Sequence, residues 1–493
     1  MFGCFFEEKK DNQNVVLLED VIFISSNKVR LLGRIYSAKD NISDHGFYVS
    51  TTESFENPIV SSLGSKDRLG LFLVEYDSLS QETNYFYKAY LVTNGEITFS
   101  EVSTVSTFKA QVNSRTPGYG KKGDIVTIDG TNLTNEVNVY FGDIEAKITK
   151  RVSDIQIQVE VPDHGNESRV PIIVALEGNK VLADNFEYIT GRWTLVKEFN
   201  FGIFEPLQFK IGSKLTLGFG STNKFFQISN LFYSIDLDTY EVISEVISGE
   251  DLPTPVIGSF FTETGYFGGG SYGANAIQDG EWEYLLNDEF WKYEEGTFLS
   301  LGNLNVDNNF NVKTHNSIAF GFEEALYVIG GVISQEVNNR FEQVPNSLVY
   351  KYSEGAWSLI SSVPIIINGY LPNTSIENEH WFLTKNQEFW SYSPTTGAFK
   401  KLSTFRDGTV GNYGKMHYLN SKIYFGLFQF QEAFWQMNKD DLNILPKNNF
   451  PGKSNYITIS SFENDGALFF FRIPTGSIIS PMELWKFEPN EFE

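Results

Sequence analysis

The side chains that could do chemistry in this chain of 493 residues are few and dispersed. Its histidines are His45, His164, His315, His380 and His417, and none falls in a His-x-x-Glu-His grouping. Zinc ligation on one face of a helix is therefore not written in the chain, and no metal site is expected. No glycine-rich loop leads into a helix that could cradle phosphate. Cys4 is the only cysteine, which excludes disulfide pairing within the chain and leaves a poor candidate nucleophile in a polar stretch. What remains are binding types. Tyr272, Trp282 and Tyr284 lie in one segment, and Arg340 and Phe341 in another; aromatics and arginines carry interface hot spots. The aromatics could stack on sugar rings or anchor a peptide, and Arg340, Arg406 and Arg472 could each meet a carboxylate bidentately. The bland alternative stands beside this: Trp282 and Tyr284 extend a hairpin and the arginines are solvated. The expectation is a protein that binds rather than reacts, with no cofactor.

Composition narrows the partners. With 62 acidic against 38 basic residues the formal net charge is −24, so a polyanion is repelled and nucleic acid is excluded as a partner. No stretch approaches the roughly 20 apolar residues of a membrane-crossing helix. Aromatics reach 15% of the chain, with 44 Phe and 24 Tyr against four Met; that bias favours strands, and no long stretch repeats at the helical period. The fold class expected is all-β, in several folding units.

Those units show best in a repeated stretch. Leu286 to Leu299 reads as an alternating aromatic strand, a turn and a second strand, and it has counterparts centred on Tyr233, Tyr350, Trp390, Trp435 and Trp485. With Trp291 as register, the intervals are 58, 59, 40, 45 and 50 residues, in the range of propeller blades. A tryptophan that recurs once per repeat belongs to core packing rather than to a unique site.

From about residue 191 to the end, the pattern resembles kelch repeats. Ala325-Leu326-Tyr327-Val328-Ile329-Gly330-Gly331, followed by Tyr350, Tyr352 and Gly355-Ala356-Trp357, and Gly265-Tyr266-Phe267-Gly268-Gly269-Gly270 before Trp291, carry it most fully. Four further repeats keep the strand and lose one or both glycines. The resemblance implies a six-bladed kelch-like β-propeller at 191–493. The last repeat has no room for its outer strand, and Arg192-Trp193-Thr194-Leu195-Val196 has that pattern, so strand 192–196 is expected to close the ring. The resemblance also makes 271–285 and 332–345 the longest loops on the expected binding face. Some kelch propellers are enzymes; a sugar-acid mutarotase or isomerase, needing an acid/base carboxylate and an arginine such as Arg340, is the alternative function.

Two modules precede the repeats. Residues 14–109 alternate between turn signals, and Leu79 to Tyr90 resembles the tyrosine-corner strand of fibronectin type III domains, which implies that Tyr85 buries its ring and bonds backbone upstream. Residues 110–190, through Gly123 to Leu133 and Val139-Tyr140-Phe141-Gly142, resemble the immunoglobulin-like IPT/TIG family; Val126 and Ile128 should share one face, and Pro171 should favour an edge strand. The architecture expected is thus two immunoglobulin-like β-sandwiches followed by the propeller. Finally, Met1-Phe2-Gly3-Cys4 resembles the end of a bacterial lipobox, and residues 1–13 a lipoprotein tether of the kind seen in Bacteroidota. This implies lipidation at Cys4, outer-membrane anchoring and exposure at the cell surface, with a glycan or an outer-membrane protein complex as partner; the alternative for Cys4 is an ordinary thiol.

Overall fold

A computed structural model describes residues 13–24, 27–134, 137–176, 179–223, 227–246, 251–276, 282–294, 296–307, 310–337 and 340–493; Cys4 lies outside the described residues. Every regular element among them is a strand. The chain divides into two units, residues 1–188 and 189–493.

In the first unit, Val29–Ser37 alternates buried and outward residues and is the hub of a four-stranded sheet, while Ile42–Ser50 and Asn84–Thr93 pair at the centre of a five-stranded one. Their inward residues, including Val29, Leu31, Phe47, Val49, Tyr87 and Leu91, make one core. Tyr85 is buried, and its hydroxyl accepts the Ser80 N–H at 2.8 Å. Farther along, eight strands run from Gln111–Thr116 to Asn179–Tyr188. Val126 and Ile128 are fully buried, which follows from the two-residue period of a strand. Pro171 is a correction: its strand, Arg169–Leu176, is internal, paired with Asn138–Phe141 on one side and Asn179–Tyr188 on the other. The position tolerates proline because the ladder to Asn138–Phe141 starts at Ile172, and the Pro171 carbonyl still accepts the Gly142 N–H at 2.8 Å.

The second unit contains six four-stranded antiparallel sheets. Five are consecutive in sequence: 207–246, 260–303, 318–362, 373–404 and 415–446. The sixth takes Tyr456–Asn464, Ala467–Pro474 and Met482–Glu488 and adds Arg192–Phe199 from the start of the unit, paired from Arg192 opposite Glu488 to Phe199 opposite Met482 with a register shift between Leu195 and Lys197.

A pair of adjacent residues explains how the sheets stack. In each third strand, neighbouring side chains point to opposite faces, and each is claimed by a different sheet. Phe232 packs toward the second sheet and Tyr233 toward the sixth; Phe290 goes forward to the third and Trp291 back to the first. Val349 and Tyr350, Phe389 and Trp390, and Phe434 and Trp435 repeat the division. In the last sheet Leu484 joins the core shared with the first sheet, while Trp485 packs back on the fifth. Six clusters therefore link each sheet to the next and the last to the first. Because both faces are buried, the strands read as aromatic runs rather than as clean alternation.

Polar detail fixes the same residues. The indole N–H groups of Trp291, Trp390 and Trp485 donate to Glu289, Glu388 and Glu483, two residues earlier on the same strand, at 3.0, 3.0 and 2.8 Å. Glu289 also accepts from the Thr254 N–H at 2.8 Å and its hydroxyl at 2.6 Å. Glu289→Ala leaves the largely buried Trp291 indole without its acceptor and is expected to cost about 1 to 3 kcal/mol in urea unfolding; an unchanged midpoint would show the hydrogen bond to be replaceable by solvent.

The glycine pairs have a steric cause. Gly330 and Gly331 have φ of +68° and +81°, and a Cβ on Gly330 would sit 2.4 Å from the Ile367 carbonyl oxygen. The backbone entering the next sheet passes directly over the pair. Where a repeat has lost a glycine, the conformation stays: Phe219 before Gly220 and Leu427 after Gly426 hold φ of +54° and +53°, a strain of roughly 1 to 2 kcal/mol each.

Candidate functional site

The two segments expected as loops are hairpins. Ser271–Ala276 pairs with Trp282–Leu286, and Val332–Val337 with Arg340–Pro345, as separate two-stranded sheets. Tyr272 is exposed on the first. Trp282, Arg340 and Phe341 occupy strand positions whose side chains lie outside the described set. Arg406 is exposed in the connection after Ala398–Thr404. Arg472 does not face solvent at all: it is fully buried on Ala467–Pro474, with its guanidinium 4.0 Å above the Phe450 ring and one N–H given to the Tyr456 carbonyl at 2.7 Å. Burial there makes it part of the packing of the sixth sheet rather than a surface anchor, and lowers its pKa to about 10.

Of the expected residues whose side chains are described, only Tyr284 joins a cluster with chemical character. Its ring stacks on His315 with centroids 4.4 Å apart, and its hydroxyl is pushed up in pKa by burial and by the charge of Glu205. Glu205 comes from the connection between Arg192–Phe199 and Leu207–Ile211. One of its carboxylate oxygens, Oε1, accepts the Tyr370 hydroxyl; the other, Oε2, is buried and has no hydrogen-bond partner among the described residues. Tyr370 precedes the fourth sheet and Tyr413 the fifth, and their rings meet edge to face at 5.0 Å. Phe204 lies 6.2 Å from Tyr413. Four connections and one hairpin thus bring Phe204, Glu205, Tyr284, His315, Tyr370 and Tyr413 together.

Burial raises the Glu205 carboxyl to about 7, partly offset by the Tyr370 hydroxyl. Tyr370 is driven well above the ordinary phenol range by burial, then by Glu205 and Tyr413. His315 is depressed to about 4 by burial and is neutral at pH 7; its Nε2 lies 3.0 Å from the Asn316 amide nitrogen. Glu205, Asn316 and Tyr413 all hold left-handed backbone, with φ of +52°, +54° and +61°, and such strain gathers where a fold over-determines a site. A carboxyl that changes charge near neutrality, ringed by phenols, can exchange a proton or hold a hydrogen-bond donor.

Sequence reasoning missed Glu205, Tyr370 and Tyr413 because it weighed the long second-to-third segments and took only Arg406 from the connections between repeats. The available signal was a Phe-Glu-Pro turn, Phe204-Glu205-Pro206, directly before a repeat.

A second polar set joins edge strands. Lys415 donates to the Ile459 carbonyl at 3.4 Å, His417 meets Ser461 Oγ at 2.8 Å, and Gln208 donates to the Ser461 carbonyl at 3.1 Å. Burial lowers Lys415 to about 8 and, with Lys415 beside it, His417 to about 4. Among the described residues no group of His, Cys, Asp and Glu could hold a metal. A groove of about 750 Å³ lined by Lys197, Phe199, Lys214, Tyr240 and their neighbours contains none of the Glu205 cluster.

Comparison with known proteins adds one assignment. No curated protein matches the chain. Among solved structures, a Bacteroides thetaiotaomicron protein carrying a provisional phosphatase label is similar at 10% identity over 77% of this chain and 97% of that one, with a TM-score of 0.34. A DUF4784 family protein from Bacteroides caccae is similar at 12% identity over 69% and 97%, with a TM-score of 0.28. The sensor domain of the anti-sigma factor RsgI4 of Pseudobacteroides cellulosolvens is similar at 14% over 19% and 94%, with a TM-score of 0.17. Likeness at these scores does not define a shared fold. The sequence family that matches covers residues 110–188 and is described as the IPT/TIG domain. That segment of this all-β chain is an IPT/TIG domain.

Proposed function

We propose that the protein is a non-catalytic binding module, in which residues 191–493 are a six-bladed kelch-type propeller and the fibronectin III-like and IPT/TIG segments present it. An IPT/TIG domain is consistent with a protein-interaction role. The observation that carries the reading is the Glu205 cluster: connections from separate sheets converge on one carboxyl and three tyrosines, as a ligand face built from inter-blade loops requires. The partner is a glycan or an outer-membrane protein complex, and the setting is the cell surface, with Cys4 as the lipid anchor. The rival reading, a sugar-acid mutarotase, draws support from the same carboxyl near pKa 7; the arginine it calls on, Arg340, has its side chain outside the described residues.

A glycan array and an affinity pull-down from outer membranes, run with the wild type and with Tyr413→Ala, test this. Wild type is expected to retain one class of partner and the variant to lose it at least tenfold. Mutarotation of N-acetylneuraminate by the wild type, abolished by Glu205→Gln, would overturn the non-catalytic reading.

A further inference from the structure

The Glu205 cluster also has a ligand preference built into it. Glu205 Oε1 is satisfied by the Tyr370 hydroxyl, whereas Oε2 is buried with no partner among the described residues, and Glu205 makes no ion pair among them. A buried acceptor left unpaired is costly, and more so when charged. Around it stand Tyr284, Tyr370, Tyr413 and Phe204. Ring faces carry negative potential and attract cations.

From this juxtaposition we infer that the site takes the head of a primary or secondary alkylammonium ion: an N–H for Oε2, a positive charge opposite the carboxylate, and a methylene stem against the tyrosine rings. A quaternary ammonium would satisfy the rings but has no N–H to give Oε2. A metal ion would find a single free carboxylate oxygen and no second ligand of its kind. A neutral sugar would leave the charge uncompensated. The inference deepens the proposed binding role and rests on this face being the ligand face; the ammonium can belong to a small amine or to a lysine of a protein partner.

Binding should be linked to protons. The titratable groups facing Glu205 are Tyr284 from the hairpin and Tyr370 and Tyr413 from the connections, all raised by burial, while His315 behind Tyr284 is neutral above about pH 4. Glu205 is then the group whose charge changes between pH 6 and 8. Bound ammonium favours its ionised form, so a proton leaves as the ligand enters.

The test is titration calorimetry of the full chain with butylammonium, tetramethylammonium, butanol and an acetylated, amidated lysine peptide. Butylammonium is expected to bind at least tenfold more tightly than either tetramethylammonium or butanol. Its affinity should rise about tenfold from pH 6 to 8, with a heat that depends on the buffer's ionisation enthalpy. Glu205→Gln should abolish the pH dependence, and Tyr413→Leu should weaken binding with the pH dependence kept. Binding of the lysine peptide more tightly than butylammonium points to a protein partner, and the reverse to a small amine; both support the inference. Equal binding of butanol and butylammonium, no binding of any probe, or an affinity unchanged between pH 6 and 8 would overturn it. If a glycan or membrane partner is nevertheless lost on Tyr413→Ala, the binding role stands without the cation.

Discussion

Removal of Arg192–Val196 is expected to abolish cooperative folding of residues 189–493, not to loosen one sheet. The deletion takes away the ladder from Arg192 opposite Glu488 to Leu195 opposite Trp485, and with it Trp193. That indole lies 5.4, 5.2, 5.5 and 4.5 Å from the rings of Phe434, Phe450, Phe470 and Phe487 and donates to the Asn448 carbonyl at 2.9 Å. Phe434 belongs to the fifth sheet and Phe470 to the sixth, so one side chain cements two. Replacing a packed tryptophan by alanine costs about 3 to 5 kcal/mol, and Trp193→Ala, with its ring partly open to solvent, should show about 3 kcal/mol in urea. The five-residue deletion adds an unpaired edge along Met482–Glu488, a template for aggregation. Scanning calorimetry should show no sharp transition for this unit, or one lowered by more than about 10 °C. A transition at the wild-type temperature would mean that the strand is dispensable.

Glu205→Gln should change how stability responds to pH. The folded carboxyl titrates near 7 against an unfolded value near 4.5. Between those values the folded state holds a proton that the unfolded chain has released. Stability therefore falls as pH rises through this window and levels off above about 7. Each pKa unit is worth about 1.4 kcal/mol, which caps the drop on the order of 3 kcal/mol; screening at a partly open carboxyl reduces it. The glutamine variant has no such titration. The loss of unfolding free energy between pH 5 and 8 should be smaller in the variant by about 1 to 3 kcal/mol, a comparison in which the amide's own pH-independent packing cost cancels. Equal slopes would place the Glu205 titration at the ordinary carboxylate range.

The repeat was readable in the sequence because the packing rule is local. Phe290 and Trp291, or Phe434 and Trp435, are adjacent residues that a strand must send to opposite faces, so a dyad recurring once per repeat announces a sheet buried on both sides. The glycine pairs were equally readable where intact, as at Gly330 and Gly331. Where Phe219 or Leu427 adopts the same backbone with a side chain, the signal disappears from the sequence although the geometry persists. Pro171 misled for a related reason: a strand flanked on both sides can still carry proline at the point where one ladder ends. The site was the least legible part. Tyr284 was picked for its type, while Tyr370 lies 165 residues beyond Glu205 and Tyr413 farther still, so only the stacking order of the sheets brings them to Glu205. Arg472 shows the converse, since type alone suggested a surface anchor and the sheet register buried it.

The pairing of Arg192–Phe199 with Met482–Glu488 also sets a schedule for biosynthesis. Arg192 is separated from its partner Glu488 by 296 residues, and at the usual 5 to 20 residues per second a ribosome needs roughly 15 to 60 s to deliver that partner. Throughout that interval the nascent strand has no hydrogen-bonding neighbour, and the first sheet lacks the Phe471 and Leu484 side of its core. A chain truncated or stalled before Met482–Glu488 thus carries an exposed aromatic edge, which makes delivery of that strand, rather than completion of any earlier sheet, the step after which this unit is protected from association with its own copies.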